Sequence, residues 1–267
     1  MVRAASVHYR AMLSESFNAE GAALPKQSPP RPSGRGHLPN TRAVPTLRAV
    51  ILYYIHGDSV RSMSGGPDFA TILSINPLAP NATLPPAQSQ RVMLWSGWCG
   101  DAIFERDFRT WTPDAWQRLD QFLRLAEGEA AGSVSRDNHR ICLRPHPRHI
   151  LADPQSCLSF LKRYEGRPVE LVLDAAGFLT RSMLPRAEEH IFRALDALAD
   201  HPQVPALVIA NVEPAPGDDD LLQPVPVDRG LLPAALIRLI ASRATDKPVI
   251  LFGDDPAAQA RFLSAPG

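Results

Sequence analysis

Residues 141–174 read ICLRPHPRHILADPQSCLSFLKRYEGRPVELVLD, and the fold class follows from this run. Ile141-Cys142-Leu143 is a short apolar segment without polar alternation. Asp153-Pro154 then sets a capping side chain before a proline, whose missing N–H costs nothing at the first helical position. Cys157, Leu158, Leu161 and Tyr164 recur at helical spacing and predict one buried face. Val169 to Leu173 is a second continuous apolar run. Strands of this kind are covered on both faces, and a helix between two of them implies a parallel crossover.

The same cycle extends outward in both directions. Upstream, Val92-Met93-Leu94-Trp95 reads as a strand. Thr112-Pro113 opens a helix with Trp116, Leu119, Phe122, Leu123 and Ala126 on one face, closed by Gly128 and Gly132. Downstream, a helix from about Met183 aligns Leu184, Ala187, Ile191, Leu195 and Leu198. Ala206 to Ala210 is a strand, followed by a polar loop. Leu232, Leu236, Leu239 and Ile240 mark a further helix, Val249 to Phe252 the last strand, and Asp255-Pro256 the cap of the last helix. Five such units predict a parallel (βα)n barrel of the TIM type within residues 46–267, the clear units starting at 91; a doubly wound sheet fits the same pattern.

The front reads differently. Leu47 to Ile55 and Phe69 to Ile75 look like strands, but the segment between them has no helical pattern. Pro77, Pro80, Pro85 and Pro86 forbid a regular helix before Arg91. The first half of the barrel is therefore expected to be incomplete or degenerate. Residues 1–45 are rich in Pro, Ser, Arg and Gly and are expected to form a disordered tail.

Composition excludes several classes. Lys+Arg and Asp+Glu are 28 each, so the formal net charge is +0 and a nucleic-acid footprint is missing. No apolar run reaches the roughly 20 residues of a membrane span, and no secretory signal is read. Three cysteines, Cys99, Cys142 and Cys157, are too few for a disulfide framework and predict a cytoplasmic protein. Trp98-Cys99-Gly100-Asp101 lacks the second cysteine that a thioredoxin-type redox turn needs.

Sites in parallel α/β folds gather at the carboxyl ends of the strands. Those ends offer Ser96, Trp98 and Asp101, then Arg144, His146 and His149, then Asp174, then Asn211 and Glu213, then Asp254 and Asp255. The candidate pocket is Arg144, His146, Asp174, Asn211, Glu213 and Asp254. Each has a plainer reading beside it. Asp174 either serves a site or caps Gly177. His146 is a ligand, an acid–base group or a loop histidine. Asp255 is a helix cap, Trp98 a lid or packing residue, and Asp218-Asp219-Asp220 a solvated charge run.

Leu143-Arg144-Pro145, Val172-Leu173-Asp174, Val208 to Glu213, and Pro224 through Phe252 together resemble the second half of the xylose isomerase-like barrels, the sugar phosphate isomerases and epimerases. That family holds a divalent metal through Glu, Asp, His and Glu on successive strands. The resemblance places Arg144 at the first Glu, keeps Asp174, places Asn211 at the His, and brings the last Glu near Phe252, Gly253 and Asp254. A companion His falls on Gly177. Arg144 would pair with Asp174 or a bound anion and would repel a metal. The resemblance thus implies a degenerate isomerase or epimerase, a pseudoenzyme that binds a carbohydrate or phosphorylated metabolite with no metal and no cofactor. A non-enzymatic interaction or scaffold domain is the alternative. A third reading rests on Asp174 to Thr180 and Gly253-Asp254-Asp255, which resemble the nucleophile and metal loops of haloacid-dehalogenase-like phosphatases; Ala176 stands where that loop needs its second carboxylate.

Overall fold

The computed structural model describes residues 51–85, 90–131, 140–244, 246–253 and 255–265. The segment 1–45 lies outside the described residues, and so does Asp254.

Eight strands close into a barrel. In chain order these are β1 Leu52–His56, β2 Ser59–Ser62, β3 Ala70–Ile72, β4 Arg91–Trp95, β5 Arg140–Arg144, β6 Val169–Asp174, β7 Ala206–Ile209 and β10 Val249–Leu251. The strands at 141–143, 169–173 and 206–209 lie parallel and in chain order, as the repeated units predict. β10 joins β7 and β1 in parallel and so closes the ring.

Closure at the front does not use the missing helical units. β1 and β2 form an antiparallel hairpin, and β2 runs antiparallel to β3. β2 is the one barrel strand that runs against the rest. Its turn is Gly57-Asp58, with Gly57 at φ 61, which suits the first central position of a two-residue hairpin turn. The segment between the two front strands is thus itself a strand, and the degeneracy of the front is a hairpin in place of a βα unit.

The helices are α1 Pro113–Ala131, α2 Pro154–Arg163, α3 Ala187–Leu198, α4 Ala234–Ser242 and α5 Pro256–Ser264. Asp153 and Ser156 form a reciprocal capping box on α2, and Asp255 accepts from Ala258 N on α5. Thr112 differs from expectation. Its hydroxyl donates to Arg109 O, 2.8 Å, at the end of the 3-10 turn Phe108–Trp111. On α2, Phe160 takes the buried place expected of Leu158; on α4, Ile237 is buried while Leu239 is exposed.

The polar loop after β7 contains a second hairpin, β8 Asn211–Pro214 and β9 Leu222–Val225, outside the barrel. The sequence reading passed over it because four-residue strands carrying Pro214 and Pro224 lack an apolar run.

Strand parity sorts the core. Val92, Leu94, Ile141, Leu143, Leu171 and Leu173 face the helices in one large cluster. Met93, Cys142, Val172, Val208 and Ile250 fill the barrel interior with Val60 of the reversed strand. No described helix is long and apolar enough to cross a membrane.

Candidate functional site at the carboxyl ends of the strands

The inward parity of β4, β5 and β6 sets Trp95, Arg144 and Asp174 in the top layer, one step above Met93, Cys142 and Val172. Arg144 Nη2 donates to Asp174 Oδ2 at 2.6 Å, and both side chains are almost wholly buried, 4% and 1% exposed. Asp174 Oδ1 accepts from Gly177 N at 2.9 Å. Asp174 therefore makes the expected cap on Gly177 with one oxygen and pairs with the arginine through the other. The guanidinium lies 4.5 Å from the Trp95 ring centroid and 5.7 Å from that of Phe252. Arg144 Nε is buried with no hydrogen-bond partner.

The two histidines after β5 pack into an aromatic group with Trp95, Trp98 and Phe104. Phe104 and His146 centroids lie 4.4 Å apart, and Trp98 stacks on His149 at 5.3 Å. His146 Nδ1 accepts from Arg148 N at 3.2 Å. His149 Nε2 meets Ile103 O at 2.7 Å, which assigns the proton to Nε2 and leaves Nδ1 an unpartnered buried acceptor. Burial holds both imidazoles neutral. It lowers His149 to about 3, helped by Arg144, and lowers His146 well below its ordinary value, helped by His149 and the neighbouring arginines. Trp98 is a packing residue in this group.

The other candidates are committed elsewhere. Asn211 Oδ1 accepts from Val212 N and Leu232 N, both 2.8 Å, and its Nδ2 donates to Leu232 O. It pins the base of the β8–β9 hairpin. Glu213, on that hairpin, accepts from Gln223 Nε2 at 2.8 Å. The cavity at this end takes in Arg144 but none of His146, Asp174, Asn211 and Glu213.

The charge run at 218–220 needs correction. Asp218 receives both Nη atoms of Arg148, at 2.5 and 2.8 Å, and caps the turn through the N–H groups of Asp220 and Leu221. Arg148 also donates to Phe104 O, so it ties three loops together over the mouth. Sequence reasoning missed this strap, because a bidentate arginine contact spanning 70 residues leaves no local pattern. The Trp98–Asp101 turn is likewise structural: Asp101 N and Ala102 N both donate to Glu105. Cys142 and Cys157 are free, and burial pushes both thiols up, away from nucleophilic use.

The cavity itself has a volume of about 120 Å³ and sits between the segment after β3 and the loop after β4. Trp95, Trp98, Phe104, Met93 and Ile72 form its walls, and Ser74, Asn76 and Arg144 are the three polar members of its lining. Asn76 is already engaged, holding Trp98 N and Trp98 O at 3.2 and 2.8 Å. Sequence reading of strand ends missed this cavity, whose walls are aromatic rather than ionisable.

The metal implied by the resemblance does not fit these donors. Asp174 has both oxygens engaged, Arg144 is a buried cation at the position of a carboxylate ligand, and Asn211 is turned to the hairpin. Among the described residues no three His, Cys, Asp or Glu side chains are placed to hold a metal ion.

No family model matches the chain, and no curated protein does. Solved structures do resemble it. The similar folds include xylose isomerase-like TIM barrels. One, from Mycobacterium smegmatis in complex with magnesium, is 13% identical, with a TM-score of 0.40, over 66% of this chain and 62% of that one. The probable 3-DHS dehydratase AsbF from Bacillus anthracis is 16% identical, TM-score 0.40, over 66% and 61%. Endonuclease IV from Thermus thermophilus is 14% identical, TM-score 0.42, over 65% and 60%. The chain spans about three-fifths of the length of these structures. Likeness of this degree concerns the chain path alone, and the barrel itself rests on the closed ring of strands. That ring also removes the haloacid-dehalogenase reading, which requires an open doubly wound sheet.

Proposed function

We propose that this chain is a degenerate barrel of the sugar isomerase type that has lost metal-dependent isomerisation and holds a small organic molecule at the carboxyl ends of its strands. One observation carries the reading: the buried Arg144–Asp174 pair stands where the resemblance places two ligands of a divalent ion. A hard cation needs several anionic or carbonyl oxygens at once. Here the one retained carboxylate is neutralised by a fixed cation 2.6 Å away. Neither neutral histidine offers an acid at neutral pH, and Glu213 is turned to its own hairpin. Of the expected carbohydrate or phosphorylated ligand, the phosphorylated form is the harder to accommodate, since the one cation of the cavity is already paired.

Calorimetric titration with manganese, zinc and magnesium tests the reading. No binding is expected up to about 100-fold above micromolar concentrations; micromolar binding that disappears in Asp174→Asn would refute it. The scaffold reading also has an observation in its favour, the aromatic packing of Trp98, Phe104, His146 and His149 over the barrel mouth. It predicts that no small molecule shifts the melting temperature.

A further inference from the structure

We infer that residues 100–109 form a lid over the cavity, and that the Arg148–Asp218 ion pair is the strap that holds it shut, so that breaking this pair opens the cavity to solvent. The inference concerns access to the site proposed for a small molecule and rests on that reading for the use of the gate; the motion itself needs no ligand. The segment is a unit. Its flanks are tied to each other, because Cys99 N donates to Thr110 Oγ1 at 3.0 Å and Thr110 is fully buried. Inside the loop, Glu105 Oε2 accepts from Asp101 N and Ala102 N at 2.7 and 3.2 Å, and Asp107 accepts from both the N–H and the guanidinium of Arg109. A Cβ on Gly100 would lie 2.9 Å from Glu105 Cβ, so the chain folds back on itself at a distance that glycine allows. A loop of this length with joined ends and its own hydrogen bonds is a compact body, able to swing without unravelling.

Few contacts close it. Ile103 and Phe104 are the lid residues that line the cavity, and both stay partly exposed. Of the others, all but Gly100 and Asp107 are exposed. Low burial of this kind marks the segments of a fold that open most easily. Closure rests on the Phe104 ring, 5.5 Å from Trp95 and 4.4 Å from His146, and on two donors from the loop after β5. His149 Nε2 meets Ile103 O at 2.7 Å, and Arg148 Nη1 donates to Phe104 O at 2.8 Å. The two donors differ in how they are placed. His149 is fully buried and stacked on Trp98, so it is part of the frame. Arg148 is a long side chain aimed by Asp218, which takes both Nη atoms from the turn of the β8–β9 hairpin. Without that partner the guanidinium regains rotamer freedom and water contacts, and the hold on Phe104 O is lost. The side chains of the pair are 13% and 32% exposed, so bulk ions screen it.

Trp95 and Trp98 line the cavity, so acrylamide quenching of the unliganded full chain reads the opening. Asp218→Asn removes the charge and keeps an oxygen for the N–H groups of Asp220 and Leu221. Arg148→Met keeps the stem and removes the donors. Each variant is expected to raise the quenching constant about twofold, the scale that loss of one partly exposed ion pair allows. The double variant should go no further than either single one, because both break the same strap. Sodium chloride at about 1 M should reproduce the rise in the parent and add nothing in the variants. The buried Cys142 and Cys157 should stay unreactive toward a thiol reagent throughout, since the barrel itself does not open. Unchanged quenching in both single variants overturns the inference. So do effects that add in the double variant, or a rise accompanied by reaction of Cys142 and Cys157, which would mark general unfolding. Should the variants fail to fold, the salt titration of the parent decides alone, and quenching indifferent to salt overturns the lid. No ligand enters this test, so the small-molecule reading, followed by shifts in melting temperature, and the lid can each fail while the other stands.

Discussion

Asp174 has each carboxylate oxygen engaged, one by Gly177 N and one by Arg144, and the pair is sealed inside the barrel. At the residue scale the burial of both partners, 4% and 1% exposed, supports the proposed structural role of this carboxylate. The histidines next to it give a testable pH dependence. His149 is depressed to about 3 by burial, and His146 is also held well below its ordinary value. In the unfolded chain both titrate near 6.5. Between roughly pH 6.5 and 3 the unfolded state therefore binds more protons than the folded one, so stability is full above 6.5 and falls as the pH drops through that window. His149 contributes a loss of up to about 1.4 kcal/mol per pH unit there, and His146 adds to it in the same direction. Urea unfolding at pH 7 and pH 5 should show the midpoint falling on acidification, and His149→Gln should flatten that dependence. A midpoint insensitive to pH in this range would show that the two rings are solvated.

At the element scale, the parallel half of the barrel was legible because its strands are unbroken apolar runs and Pro154 and Pro256 mark helix starts at capping aspartates. The front was not legible as a closed ring. β1 and β3 fall on the runs read as strands, but β2, the four residues Ser59–Ser62 with only Val60 buried, has neither an apolar run nor a helical face to announce it. The available signal was Gly57-Asp58 between two short runs, the mark of a tight hairpin. Two glycines test how the elements are built. Gly57 has φ 61 and open space around it, so Gly57→Ala should cost only the left-handed strain, about 1 kcal/mol. A Cβ on Gly177 would lie 2.7 Å from Asp174 Cγ. Gly177→Ala must push the carboxylate off its arginine, with an expected cost of about 2–3 kcal/mol. Chemical denaturation of the two variants checks the order; equal losses would show that the turn after β6 yields freely.

For the whole molecule, the inventory of strand ends brought Arg144 and Asp174 to one rim, where they pair, but did not give the state of its other residues. Arg144 and Asp174 lie on one rim in any parallel barrel, and opposite charges there are expected to pair. Asn211 and Glu213 could not be assigned in the same way, because the hairpin that claims them has no sequence run of its own. The cavity escaped notice because its walls come from Ile72, Met93, Trp95 and Phe104, which read as core. The central claim is that the Arg144–Asp174 pair now serves the fold rather than a working site. A double-mutant cycle measures this directly, with Arg144→Met, Asp174→Leu and the double variant unfolded in urea. Removing one partner of a buried pair typically costs about 3–5 kcal/mol, while replacing both by apolar groups is close to neutral. The expected result is that each single variant loses about 3 kcal/mol and the double variant loses less than either. Single losses near zero that simply add, or a gain in stability from Asp174→Leu alone, would mark a carboxylate kept for function and would contradict the account.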